Sequence, residues 1–370
     1  MSGFAREAIN LSGFFRARED YMSSTIQNSN GQSILPSELV ESVRQPETSK
    51  CVVCNGLLAA DVRDLFDVRF GIPGRFEARR CTQCGLEQLF PFPTPEGLKA
   101  LYERYYNFGG EHDTLYTELR DLFFTSPLHR LWAFLDGDIS FYTQIGAGRL
   151  LDIGCNEGRG LALYARNGYT VEGLELNENA ASVARGKGLT VHTVMLEQFT
   201  PAAPFDVVVL SNVLEHSLDP AQMLRAVHHI LRPAGKIWIS CPNSRSWLRS
   251  CFGRYWINWH VPFHIVHFSC EALRGLLARS GFESVQIRQI TPSLWVASSA
   301  IARLFAKAGK ANRKLRNPAL VFVLMLLIRF LFFPILVLGN LLGRGDCLIA
   351  VATNEEVSPI VLFRGSDTRQ

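Results

Sequence analysis

The stretch LLDIGCNEGRG, residues 150–160, decides the fold. An acid, Asp152, and glycines at 154, 158 and 160 fall where a short apolar run gives way to a helical pattern. Glycine lets the backbone approach a ligand closely, and a helix N-terminus turns unpaired N–H groups toward it. The spacing is G-x-x-x-G-x-G rather than G-x-G-x-x-G, which disfavours a pyrophosphate. The next apolar run, VEGLEL (171–176), carries Glu175 near its end, 23 positions after Asp152. A carboxylate at a strand tip can accept both hydroxyls of a ribose.

Outward from this loop, short apolar runs alternate with helical stretches. Strands are expected at 150–153, 170–175, 189–192, 205–210, 236–240 and 284–290, and helices at 158–167, 178–186, 220–231 and 270–280. A last strand is expected at 347–353. This is the pattern of an α/β fold, a doubly wound, mostly parallel sheet of seven strands. The expected organisation is an N-terminal extension (1–45), a cysteine-bearing module (46–93), connecting helices at 95–106 and 115–135 within 94–148, and the core (149–292). An insertion (293–345), the final strand (346–356) and a tail (357–370) complete the chain.

The ordered signals DIGCNEG, Glu175, FDVVVLSNVLEH (205–216), LRPAGKIWIS (231–240) and HFSCEALRGLLARSGF (267–282) resemble the class I S-adenosylmethionine (SAM)-dependent methyltransferases. The resemblance implies that Asp152, Gly154 and Gly158 border the methionine moiety and that Glu175 holds the ribose. It further implies that Leu196 and Glu197 lie beside the adenine, with Cys155, Asn156 and Ser211 completing the cofactor site. Asn156 stands where the family usually has a glycine, and asparagine tolerates positive φ. A glycine-rich turn in another doubly wound protein is the plainer reading of the loop alone.

The end of the fourth strand, LSNVLEHSLDP, lacks the [DN]-P-P-[YF] motif of amino-directed nucleic-acid methyltransferases. It carries Glu215 and His216, which resemble the E-H of quinone and small-molecule O- and C-methyltransferases. A histidine with an ordinary pKa near ~6.5 can take a proton at neutral pH, oriented by a carboxylate. The alternative is that His216 only caps a helix or packs on the sheet. NWHVPFHIVHFS (258–269) offers Trp259, His260, His264 and His267 as substrate contacts, although Pro262 argues against a regular helix there. A metal at these histidines is disfavoured, and core packing of at least one of them is an open alternative.

Cys51-x-x-Cys54 and Cys81-x-x-Cys84 have the spacing of a four-thiolate zinc ribbon, with no ligand position left for chemistry. The following CGLEQLFPFPTPEGLKALYERYY (84–106) resembles the front end of sugar C-methyltransferases and related surface-glycan enzymes, whose further C-terminal domain is missing here. Nine cysteines, an odd number, and no secretory leader point to a reducing, cytoplasmic setting.

The chain has 370 residues, 47% hydrophobic and 19% charged, which excludes a wholly disordered protein. Its net charge of +4 is uneven. From Glu283 to Asp346 no acid intervenes between nine bases, and the rest carries 29 basic against 34 acidic residues, or −5. That balance weighs against a nucleic-acid partner. ALVFVLMLLIRFLFFPILVLGNLL (319–342) is long enough to cross a bilayer, but the strand at 347 must rejoin the sheet. The expectation is a segment that enters a membrane and returns, broken at Pro334 into two pieces too short to span, with KAGKANRKLR (307–316) against anionic headgroups. A buried helical hairpin or a homodimer contact is the alternative.

The functional expectation is a peripheral enzyme on the cytoplasmic face of the membrane, contacting it through 303–344. It would methylate an oxygen or carbon of a glycan, sugar nucleotide or isoprenoid-linked intermediate. An RNA methyltransferase with a zinc ribbon and a non-catalytic zinc-ribbon scaffold are the competing readings.

Overall fold

The computed structural model describes residues 50–105, 122–124 and 126–354, with a two-residue ladder at Ile26–Gln27 and Ser33–Ile34. The expectations for the rest of 1–45, for 106–121 and for the tail lie outside the described residues. Along the chain, β1 (Leu58–Leu65), β2 (Phe76–Cys81) and β3 (Glu87–Phe90) precede α1 (Pro95–Tyr105) and α2 (Pro127–Asp136). Then β4 (Arg149–Ile153), α3 (Arg159–Arg166), β5 (Thr170–Leu174), α4 (Glu178–Gly186) and β6 (Val191–His192) alternate. They lead into β7 (Phe205–Ser211), α5 (Pro220–Ile230) and β8 (Leu231–Pro242). After α6 (Trp247–Phe252) and β9 (Val266–His267) come α7 (Cys270–Arg279), β10 (Phe282–Ile290), α8 (Ser293–Phe305), α9 (Pro318–Leu341) and β11 (Cys347–Asn354).

Two compact units share this chain, and their limits do not follow linear sequence. One combines the N-terminal part through His112 with Ser246–His267 and Pro292–Gly339; the other combines Asp113–Arg245, Phe268–Thr291 and the chain from Asn340. The second unit holds a seven-stranded sheet in the order β10-β11-β8-β7-β4-β5-β6. All neighbours are parallel except around β11, which runs antiparallel to both β8 and β10. The central strands carry continuous apolar runs because helices cover both faces of a parallel sheet, and Val208, Val209 and Leu210 of β7 are fully buried. Helix starts follow capping chemistry. The Asn177 side chain accepts from Ala180 N (3.1 Å) at α4, Asp219 from Gln222 N (2.8 Å) at α5, and Ser269 from Ala272 N (3.1 Å) at α7. At the other end of α5 the Asn354 amide of β11 donates to Leu231 O (3.0 Å) and to His228 O (3.2 Å), satisfying terminal carbonyls.

The first unit is built on a four-stranded antiparallel sheet, β9-β3-β2-β1. Its core joins Leu65, Ile72, Phe76 and Leu89 to Leu101 of α1 and to Trp256, Trp259 and Phe263. The segment 258–269, expected in the methyltransferase core, therefore contributes β9 to the cysteine module's sheet, pairing Val266 with Gln88 and His267 with Glu87.

The expectation for the insertion is corrected on one point. The apolar stretch is not broken at Pro334: α9 is one continuous helix of 24 residues with Pro334 inside it. Ile328 and Leu336 pack on Leu248 of α6 and on Val296 and Ala297 of α8, and that packing holds the turn together although proline removes one helical hydrogen bond.

Gly158, the left-handed N-cap of α3 (φ +76°), tests the glycine loop directly, because a Cβ there would stand 2.4 Å from Leu189 Cδ1. Gly158→Ala should cost about 1–3 kcal/mol and lower Tm by several degrees in a thermal melt. An unchanged Tm would refute the backbone conformation assigned to this turn.

Candidate functional site

In the second unit, β4 ends at Ile153 and the chain turns through three left-handed residues, Gly154 (φ +73°), Asn156 (+53°) and Gly158 (+76°). A Cβ on Gly154 would lie 2.9 Å from Val213 Cγ2, so this side of the loop stays open only without a side chain. The amides of Gly154 and Cys155 donate to Leu174 O (2.8 and 3.1 Å), tying the loop to the end of β5. Glu175 is held from both sides: Asn156 N donates to Oε2 (3.0 Å) and Asn177 N to Oε1 (2.8 Å). Each carboxylate oxygen keeps a further lone pair, so a diol can still be accepted.

Asp152 lies beneath the loop, buried. Burial, and secondarily the nearby Glu175 charge, push its carboxyl up to about 8. Cys155 is also buried, and its sulfur fills the space beside Gly173, where a Cβ would meet it at 2.4 Å. It serves packing, and its backbone is committed too: its amide to Leu174 O and its carbonyl to Gly158 N (3.0 Å). Leu196 (buried) and Glu197 (exposed) lie on the short helix Leu196–Gln198. Ser211, at the end of β7, donates its hydroxyl to Ile139 O (2.9 Å).

That last contact belongs to a feature the sequence reading missed. Asp138 accepts from the amides of Ser140 (3.0 Å), Tyr142 (3.1 Å) and Thr143 (2.8 Å) and from the Thr143 hydroxyl (2.7 Å), folding 138–143 into a tight loop. Its Ile139 carbonyl receives both Ser211 and Ser240 (2.7 Å). Burial, then the Asp152 charge, raise the Tyr142 phenol to about 12, which places Tyr142 in the electrostatic range of the acid under the glycine loop. The signal is an aspartate followed five residues later by threonine, an Asx-type turn between the helix expected to end at 135 and the strand expected from 150.

Glu215 and His216 occupy the short helix Leu214–His216 just past β7. His216 is half-buried and Glu215 fully buried. Burial pushes the Glu215 carboxyl up to about 8.

Trp259, His260, His264 and His267 lie in the first unit and are all buried. They form an edge-to-face ring cluster and no regular α-helix: His260 is left-handed (φ +38°), its ring 4.8 Å from His264, and His267 lies 5.0 Å from Trp259. His264 Nδ1 pairs with Asn258 O (2.8 Å), and Trp259 Nε1 donates to Gly253 O (3.0 Å). The Arg249 guanidinium covers the Trp259 ring (4.6 Å) while pairing with Glu87 (2.9 Å) and Asp61 (2.8 Å). Trp259 is thus a core residue of this unit.

The four cysteines of the first unit converge. Cys51 Sγ is 3.7 Å from Cys84 Sγ, Cys54 Sγ is 3.4 Å from Cys81 Sγ, and all four sulfurs lie within 4.8 Å of one another. A tetrahedral zinc with Zn–S near ~2.3 Å requires sulfurs about 3.8 Å apart, so the set fits. Amides of Val53 (3.5 Å), Gln83 (3.4 Å) and Cys84 (3.5 Å) point at the sulfurs, and Gln88 Oε1 accepts from Val52 N (3.1 Å), fixing the first knuckle.

Comparison with known proteins adds a family to this geometry. A methyltransferase-domain model matches residues 116–287. The ubiquinone biosynthesis O-methyltransferase of Thiobacillus denitrificans is 30% identical over 156 residues, covering 40% of this chain and 65% of that protein. The enzyme of the same name from Aeromonas salmonicida is 33% identical over 124 residues, covering 31% and 52%. The chain thus spans under two thirds of the length of these curated relatives. A SAM-dependent methyltransferase from Archaeoglobus fulgidus aligns in structure with a TM-score of 0.39 and 21% identity, over 65% of this chain and all of that one. The family match over residues 116–287, the ordered motifs and the strand order with its single reversed member agree on a SAM-dependent methyltransferase domain.

Proposed function

We propose that the chain transfers a methyl group from SAM to an oxygen or carbon of a small acceptor. The acceptor is a glycan, sugar nucleotide or isoprenoid-linked intermediate at the membrane, and the chain holds one structural zinc. The observation that carries this reading is the doubly anchored Glu175 beside a buried Asp152 at the open glycine turn. SAM, when bound, supplies a methyl on a sulfonium that needs no activation. The residues have three tasks: Glu175 accepts the ribose hydroxyls, Asp152 beneath the open glycine turn faces the amino-acid end, and His216 takes the proton of the acceptor. The curated relatives named for O-methylation, and the Glu215–His216 pair past β7, support oxygen as the first acceptor to test.

The raised Asp152 gives a pH signature. A cation arriving beside it favours the ionised form, so SAM binding should release a proton near pH 7. Affinity should then rise as pH goes from 6 to 8 and level off above the apo value of about 8. Calorimetry in two buffers of different ionisation enthalpy reads the proton count, and zero release would remove Asp152 from the site. Glu175→Ala should weaken SAM binding by about tenfold or more through two lost charge-assisted hydrogen bonds.

His216→Ala should leave SAM affinity unchanged and lower transfer of radiolabelled methyl groups to glycan or lipid extracts by about 10²–10⁴-fold. Unaltered transfer would exclude His216 as the base.

For zinc, elemental analysis of purified protein should find one ion per chain. Cys54→Ser with Cys84→Ser should lose the ion and lower Tm, since a metal that binds only the folded form stabilises it. A metal-free, fully stable wild-type protein would contradict the assignment.

A further inference from the structure

The helix α9 is neither a covered core helix nor an ordinary surface one. Over its most apolar window the mean hydropathy is 2.9, yet only 17% of that window is buried. Its one charge, Arg329, is turned inward, 2% exposed, with its guanidinium 5.7 Å from the Phe333 ring. On the opposite side Leu320, Val323, Leu327, Phe330, Leu331 and Leu338 recur at helical spacing and are 37–69% exposed. Water-facing helices carry their charges outward, so this one is inverted.

Immediately before it, Lys307, Lys310, Arg313, Lys314 and Arg316 are all exposed, on a stretch without a single acid from 284 to 345. The ammonium of Lys314 stands 5.9 Å over the ring of Phe305, itself half exposed. Cations and exposed aromatics thus sit side by side, as an interface between headgroups and acyl chains requires. Crossing the bilayer is disfavoured by topology. Ile290 and Cys347 are register partners in the sheet, so the chain leaves and returns at one point. Among the described residues α9 is the one helix long and apolar enough to span, and no second span brings the chain back. Pro334 also leaves the Phe330 carbonyl without its helical donor, which water can satisfy at headgroup depth but nothing satisfies at the bilayer centre.

We propose that the outward face of α9, with the basic segment 307–316 before it, docks flat onto an anionic lipid bilayer as an in-plane anchor. This deepens the membrane location proposed above and rests on nothing in the reaction chemistry. A second copy of the chain is the poorer occupant, because it offers no acid in this stretch to meet those bases. The bilayer supplies both chemistries at once, hydrocarbon for the leucines and phenylalanines and phosphate for the lysines and arginines.

The test uses the full chain and flotation with vesicles of phosphatidylcholine alone or mixed with phosphatidylglycerol. The protein should float with the anionic vesicles and lose binding several-fold at high salt. Leu327→Glu with Phe330→Glu should reduce flotation by about tenfold or more, because two outward apolar groups become charged while the packed side is untouched. Lys310→Glu with Lys314→Glu should remove the salt-sensitive part. A tryptophan placed by Leu331→Trp should be quenched better by lipids brominated near the headgroup than near the chain end. Strongest quenching at the chain end, wild-type protein that is monodisperse without detergent and ignores anionic vesicles, or a dimer that the Leu327/Phe330 variant splits would each overturn the proposal. Calorimetry with SAM on the same preparations separates the two readings: lost flotation with intact SAM binding sinks only the anchor, and the reverse sinks only the methyl-transfer site.

Discussion

The chain must come back to Cys347. The strand it begins, β11, is the antiparallel member of the seven-stranded sheet and lies between β8 and β10, paired over seven positions with β8. Without it β8 and β10 have no common neighbour and Asn354 cannot cap α5. Everything between Ile290 and Cys347 is therefore an excursion with both ends pinned to adjacent register positions. Such an excursion can carry its own helices and its own apolar surface at little cost to the sheet, because the closure entropy of a long loop grows only slowly with length. Thr291 Oγ1 donates to Asn340 Oδ1 (2.6 Å), and Asn243 Nδ2 to Gly345 O (2.7 Å), closing the two ends of the loop against the second unit.

Inside that unit, the glycine loop and its acids illustrate a balance of like charges. Glu175 stays on the surface side, anchored by two backbone amides, while Asp152 is driven toward its neutral form by burial and by Glu175 itself. Two carboxylates brought this close cannot both ionise comfortably in a low-dielectric site. A cationic ligand would relieve the conflict, so the pair of acids favours positive charge beside it. Glu215 is raised by burial as well, and it weighs on Cys241 and Cys347, whose thiols stay protonated.

Much of this was legible in the sequence, for identifiable reasons. The strands at β4, β5 and β7 and the helices at α4, α5 and α7 fall within a residue or two of their expected limits, because apolar period and capping residues act locally. The CxxC pairs were readable because four thiolates at such spacing have few other uses. The loop at 138–143 was not, since Asp138 gathers its own backbone amides with no periodic signal. Nor was the placement of 258–267 in the first unit, which depends on β9 adding to β3, a long-range pairing that no local pattern announces. The helix α8 was hidden in a stretch read only as insertion. Pro334 was read as a break, a correct propensity overridden by packing of Ile328 and Leu336.

The first unit shows how a small sheet becomes stable without a large core. Its strands come from two distant parts of the chain, and its aromatic centre, Trp256, Trp259 and Phe263, comes from the second of them. A buried carboxylate, Glu87, is tolerated there because Arg249 supplies both a counter-charge and a plane over Trp259. Even so, burial lifts Glu87 to about 7 against the pull of Arg249. A raised carboxyl stabilises the fold in its protonated form, so its contribution is full below the ordinary carboxylate range and declines as pH rises through 7. The four sulfurs work in the opposite sense, since thiolates gathered at this distance need a cation. A divalent ion held by all four would offset their mutual repulsion and make the two knuckles a fixed end from which β1 and β2 extend.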